Sequence, residues 1–446
     1  MLPIEDVAAG RGVPWGPLIH RRLLTNLVVL PEVNVVANAV EATRGSGLPR
    51  HWWAFGVLAL PATIYLVALQ ERASLAVFWA VGIAAGFVIQ RSRLCFVSGF
   101  RDLYLLHQGR TLRGLIVGLG VATFGFAMIM GAIVPNPATG AVPQDAHVLP
   151  VGIATVAGGL LFGVGMVLAG GCVSGSLYRM GEGYVGSWVA MGGVMAGLFV
   201  FNRTWNWWWD FSISTAPREW LPARLGYTGS IALTVLLLAA AYIATLWWER
   251  RVPSFAMIPI KRAQPAPPAS VGDDVKTALQ RVFRKEWSPA AGAIALSLLN
   301  ILLFIRYRPL GVVGEISRWA NDLAAKAGQP VGVLKGLDTL AGCAPSITGS
   351  SWFTDGFMLN TGIIMGSFTA AVLAREFRLR IPRQPKRYAQ SAVGGVVMGY
   401  GAGLGLGCTL GAFYSAIPSL ALNGWVYAVA LAVGAFAGSQ IIRRLA

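Results

Sequence analysis

The chain has little charge, little histidine and little cysteine, and each shortage excludes something. Only 12% of its 446 residues are charged, about half the share of a soluble chain of this length, so a water-facing globular protein is excluded. The four histidines (His20, His51, His107 and His147) are scattered, and the four cysteines (Cys95, Cys172, Cys343 and Cys408) never form C-x-x-C. Zinc, haem and dithiol redox sites need tighter spacing, so no metal and no cofactor is expected. The glycine-rich "GEGYVG" at 181–186 lacks the Lys and Ser/Thr of a phosphate-binding loop and follows no strand, which excludes nucleotide binding there. The N-terminal "MLPIEDVAAGRG" has no basic segment followed by an apolar core, so no cleavable signal peptide is expected.

Apolar sequence is abundant. Hydrophobic residues make up 55% of the chain and mean hydropathy is +0.60. Apolar runs of about 18 residues or more recur, the length that crosses a bilayer as a helix. The pattern predicts an all-α polytopic membrane protein with spans at 51–69, 73–89, 113–134, 151–171, 185–201, 226–247, 289–305, 356–374, 391–407 and 423–441. Residues 1–50 read as a cytoplasmic or interfacial segment, 51–250 as a first transmembrane repeat, 251–288 as a cytoplasmic linker and 289–446 as a second repeat.

The formal charge of +17 invites a nucleic-acid reading, but the basic residues sit in short segments between apolar runs. That is the positive-inside pattern, and no nucleic-acid partner is expected. Arg375, Arg378, Arg380, Arg383, Lys386 and Arg387 put segment 375–388 in the cytoplasm. Segment 248–288, with eight Lys or Arg, belongs there too, while 135–150 has none and lies outside. Both termini then fall in the cytoplasm. In the linker, "VKTALQRVFRKEW" gathers Val275, Ala278, Leu279, Val282, Phe283 and Trp287 on one helical face, as an amphipathic helix on the inner membrane surface does.

Residues 158–178, "GGLLFGVGMVLAGGCVSGSLY", align without a gap on 394–414, "GGVVMGYGAGLGLGCTLGAFY", with nine of 21 positions identical. Cys172 falls on Cys408, Gly171 on Gly407 and Gly175 on Gly411. A weaker match pairs Cys95 with Cys343, Ser98 with Ser346, Gly114 with Gly362 and Gly118 with Gly366. With the charge-derived orientation the two halves run in opposite senses. Inverted repeats are a common transporter plan, with the solute near the midplane between broken helices.

That plan gives the glycines a purpose. Clustered glycine weakens a helix, and backbone freed at membrane depth must be buried or face water. A re-entrant half-helix loop meets this condition and sets each cysteine at its tip, beside a helix terminus that favours anions. A thiol is a weak donor and a soft partner, which suits a sulphur-containing anion. The competing view makes each cysteine an inert filler and each glycine a packing residue; four cysteines in matched pairs weigh against it.

The stretches "GFVIQRSRLCFVSGFRDLYL" (86–105), "GMVLAGGCVSGSLYRMGEG" (165–183) and "GLGLGCTLGAFYSAIPSLALNGW" (403–425) resemble the YeeE/YedE family of bacterial inner-membrane sulphur-transport proteins. That family includes thiosulfate-uptake transporters and members linked to selenium metabolism. The resemblance implies an inverted-repeat fold with re-entrant half-helices. It also implies a central path on which the thiols of Cys95, Cys172, Cys343 and Cys408 hydrogen-bond thiosulfate as it passes.

The expected protein is therefore a transporter and not an enzyme: an inner-membrane, multi-pass permease for a sulphur-containing anion, thiosulfate first. Its partners are that anion and the lipid bilayer, and a cytosolic sulphur-acceptor protein is a further candidate. Gly171, Gly175, Gly407 and Gly411 support the loops. Arg91 and Arg93, beside Cys95 in "QRSRLCF", either steer the anion or anchor the inner surface. The spacing of Arg179 and Glu182 favours a loop-shaping ion pair. Two alternatives stay open: a carrier of a selenium or other sulphur species on the same scaffold, and a membrane thiol oxidoreductase.

Overall fold

The computed structural model describes residues 61–65, 67–251, 282–283, 285–330, 332–337, 340 and 353–445. The N-terminal segment, most of the expected 51–69 span, most of the amphipathic stretch and Cys343 lie outside these residues. The elements are α1 (Ala73–Ser92), α2 (Phe96–Leu106), α3 (Arg110–Ile133), α4 (Ile153–Ala169), α5 (Val173–Gly181) and α6 (Val185–Trp208). Then come α7 (Pro222–Arg250), α8 (Pro289–Arg306), α9 (Val313–Lys326), α10 (Asp355–Leu373), α11 (Pro385–Leu404), a π-helical turn (Thr409–Ser415) and α12 (Leu422–Leu445). Among the described residues eight helices are long and apolar enough to cross a membrane, or nine if α11 and the bent turn after it count as one. Each expected span from 73–89 onward has its helix.

Local chemistry sets the ends. Ser288 accepts from the Ala291 N–H, with Pro289 at the first position of α8. Thr354 does the same for α10 through Phe357 N–H. The outer faces stay apolar where lipid replaces water: Met128 is 78% exposed and Leu236 67%.

The helices pair by an exchange rule. Gly82 packs on Leu359 and Gly86 on Ile363, so α1 runs parallel to α10. Gly114 packs on Pro289, Gly118 on Ala293 and Gly125 on Ile301, so α3 runs parallel to α8. Between the halves, α1 and α8 are antiparallel: Ser92 meets Gly292, while Phe78 meets Tyr307. The second group repeats this. Gly159 packs on Tyr427 and Gly163 on Leu431, which makes α4 parallel to α12. Gly193 packs on Ala392 and Gly197 on Val396, which makes α6 parallel to α11.

At the centre α4 crosses α11 antiparallel, backbone against backbone. Gly158 abuts Gly405 and Gly394 abuts Ala169; Gly165 abuts the main chain of Met398 and Gly401 that of Phe162. These are the same two contacts seen from either half, shifted by the 236 residues that separate Cys172 from Cys408. No side chain fits between backbones this close, which is the small-residue logic of membrane helix packing. The structure is thus an inverted repeat in which α1 to α6 match α8 to α12 with the π-helical turn in the place of α5. α7 joins the two sets.

One expected match changes. Cys95 is the residue that opens α2, and the residue that opens the equivalent α9 is Val312. The glycine pairs Gly114/Gly362 and Gly118/Gly366 do sit alike on α3 and α10, while the position that matches Cys95 at the start of α9 is held by Val312. Inserted chain between α8 and α10 separates the sequence register from the structural one.

Candidate functional site

Each of the three described cysteines stands where one helix stops and the next begins. Arg93 ends α1 in the left-handed region at φ 49° and Cys95 caps α2. Gly170 ends α4 at φ 75° and Cys172 caps α5. Leu406 takes φ 52° before Cys408, which opens the π-helical turn at 46° to α11. The left-handed residue stops the helix, and the cysteine that follows is extended. At Cys172 and Cys408 the side chain faces the fresh N–H groups of the next turn.

The thiols converge. All three are free and at most 1% exposed. Cys172 Sγ accepts from Gly175 N–H at 3.3 Å and lies 3.4 Å from Ser174 Oγ. A methyl added to Gly175 would sit 3.2 Å from Cys172 Sγ and 3.7 Å from Cys95 Sγ, so the glycine lies between two sulphurs. Cys408 comes from the other half. Its sulphur faces the N–H groups of Gly411, Leu410 and Val312, and the neighbouring Thr409 side chain points at Cys172. The four expected loop glycines, Gly171, Gly175, Gly407 and Gly411, are all buried.

Two further polar groups lie near these thiols and a third, His147, lies beside Gly407. The Tyr427 phenol, from α12, is close enough to Cys408 and Cys172 to interact with both electrostatically. Tyr427 Oη and Thr409 Oγ1 are fully buried and have no hydrogen-bond partner among the described residues. His147 Nε2 is the third such group, 3.4 Å from where a methyl on Gly407 would stand. Burial pushes the His147 imidazole down to about 4, so it is neutral at ordinary pH. Neither composition nor spacing singled out Tyr427, Thr409 or His147. The signal available was polarity inside an apolar run, and that also fits ordinary packing.

The expected steering arginines are both engaged. Arg91 is fully buried and its Nη2 lies 2.7 Å from Glu376 Oε2. Its Nε also donates to Gln90 Oε1 at 2.7 Å, and Gln90 Nε2 donates to Glu376 at 3.0 Å and Glu182 at 3.1 Å. Arg93 is exposed and pairs with Glu286 and Glu376. Burial pushes the Glu182 carboxyl up, against Gln90, Arg380, Arg179 and Arg93, which pull it down. The expected Arg179–Glu182 pair is not made: Arg179 donates to Gly170 O and Tyr178 Oη instead. The cations around open space are others. Lys386 and Arg387, with Gly170 and the ion pair of Arg101 and Asp102, line a cavity of about 930 Å³ between the ends of α2, α4 and α12 and the start of α11.

Comparison with known proteins shows the family. The model of a family described as sulphur transport matches residues 91–437. The chain is 30% identical over 372 residues to the thiosulfate transporter TsuA of Escherichia coli K12, covering 81% of this chain and 92% of that one. It is 28% identical over 383 residues to the thiosulfate transporter TsuA of Spirochaeta thermophila, covering 82% and 98%. A shorter match, 32% over 188 residues, is to the probable transporter YedE of E. coli K12, covering 41% and 42%. With its apolar helices, its inverted repeat and a family match over most of its length, the chain belongs to the sulphur-transport family and is a multi-pass membrane transporter of a sulphur-containing anion.

Proposed function

We propose that this protein is a permease of the bacterial inner membrane that takes up thiosulfate, with both termini in the cytoplasm. The anion passes His147, then Cys408, then Cys172, then Cys95, with Cys343 as a further thiol on the path. The observation that carries the reading is that the free, buried thiols of Cys172 and Cys95 flank Gly175, with the residue after Cys408 in the other half, Thr409, beside Cys172. A thiol can donate to a sulphur oxyanion without the strong hold of a full positive charge, so the solute is bound and released. The breaks at Cys172 and Cys408 act as the tips of half-helices, re-entrant in function: each brings capping N–H groups to membrane depth, where backbone is tolerated only beside protein or water.

The basic face is the cytoplasmic one. Lys386 and Arg387 at the 930 Å³ cavity then attract the emerging anion toward a cytosolic sulphur-acceptor protein. Arg91 and Arg93, held by carboxylates, keep the ends of α1 and α10 together. Residues 51–250 and 289–446 are the two functional halves and 251–288 their cytoplasmic link.

The test is growth of a sulphate-uptake-deficient bacterium on thiosulfate as sole sulphur source. The wild-type protein should restore growth, and Cys172→Ala and Cys408→Ala, at matched expression, should not. Full growth with both alanine variants would remove the thiol path. No growth with well-expressed wild type would move the cargo to another sulphur or selenium species.

A further inference from the structure

The two halves build the same frame, so the places where they differ are where the frame is not what the residue serves. Tyr427 on α12 corresponds to Ala190 on α6: Gly159 packs on the Tyr427 carbonyl as Gly395 packs on the Ala190 carbonyl. Thr409, just after Cys408, corresponds to Val173, just after Cys172. The first half makes the same helix break and the same close crossing with alanine and valine. Neither hydroxyl is therefore needed for the fold.

Both hydroxyls are placed at a cost. Tyr427 and Thr409 are 0% exposed, and neither oxygen has a hydrogen-bond partner among the described residues. An unsatisfied buried hydroxyl destabilises a protein. The Tyr427 ring is held in place, packed against the backbone of Gly405 and 6.2 Å from the Phe162 ring. Its hydroxyl is close enough to the thiols of Cys172 and Cys408 to interact with both electrostatically, and the Thr409 hydroxyl faces Cys172 from the other half.

We infer that the Tyr427 and Thr409 hydroxyls are the oxygen-binding half of the central site, donating to the sulfonate oxygens of the anion while the Cys172 and Cys408 thiols meet its sulphur end. This rests on the thiosulfate reading above and deepens it. Thiosulfate has a hard end of three oxygens and a soft terminal sulphur. A site of thiols alone would take hydrosulfide or polysulfide as readily. The unpartnered Tyr427 hydroxyl, and a Thr409 hydroxyl with no acceptor better than the weak Cys172 sulphur, supply the selection for an oxyanion: an oxygen-bearing solute satisfies them and an oxygen-free one does not.

The experiment measures labelled thiosulfate uptake into cells and the melting temperature of the purified protein, for wild type, Tyr427→Phe and Thr409→Val. Valine is the residue the first half already uses. Each variant should raise the KM for thiosulfate about tenfold, the effect of losing one hydrogen bond to a charged oxygen. Its melting temperature should be unchanged or higher, because an unpartnered buried hydroxyl has gone. Wild-type KM in both variants overturns the inference and leaves the thiol path intact. A lower melting temperature with proportionally lower uptake also overturns it, by making the hydroxyls structural. If wild type itself moves no thiosulfate, the reading above falls first, and this inference with it.

Discussion

At the scale of single residues, position between thiols matters more than identity as a helix former. Gly175 lies inside α5, where alanine would ordinarily strengthen the helix by about 0.5–1 kcal/mol. Here the added methyl would stand 3.2 Å from Cys172 Sγ and 3.7 Å from Cys95 Sγ, in the space the anion would cross. Gly175→Ala should therefore keep thermal stability within about 1 kcal/mol of wild type while thiosulfate uptake falls by roughly tenfold. Uptake assays beside melting curves separate the two effects. The glycine and the cysteines were legible in the sequence because they repeat as a block. Tyr427 and Thr409 were not, because the repeat replaces them with Ala190 and Val173 and so hides them from any self-comparison.

At the scale of elements, the ends of α1, α5 and α10 are tied by one polar network as well as by packing. Arg91 is wholly buried, Glu376 is 27% exposed, and Gln90 bridges Glu376 to Glu182. Removing one partner of such a pair costs more than the pair itself contributes, because the other charge stays buried and uncompensated. Glu376→Ala should cost about 3 kcal/mol of stability, read as a fall in melting temperature and in membrane yield. Glu376→Gln should cost less, since its amide oxygen still accepts from Arg91. The "QRSRLCF" motif showed that these residues adjoin Cys95. It did not show their acceptor, which lies 285 residues along the chain.

At the scale of the whole molecule, the inverted repeat makes matched substitutions equivalent. Gly165 and Gly401 each press on a backbone of the opposite half, so Gly165→Leu and Gly401→Leu should each cost about 3 kcal/mol of stability, read as similar falls in melting temperature. Gly192→Leu, where an added Cβ meets open space, should change little. Melting curves of the three variants side by side check the symmetry directly. The sequence by itself determined the membrane class, the spans, the repeat and the cysteine breaks, because hydropathy, glycine clustering and self-similarity are local and periodic. Only the tertiary structure decided which carboxylates hold which arginines, that Val312 opens α9 as Cys95 opens α2, and that two unpartnered hydroxyls are buried near the thiols. Each of those depends on partners brought together from distant parts of the chain by the antiparallel crossing of α4 and α11.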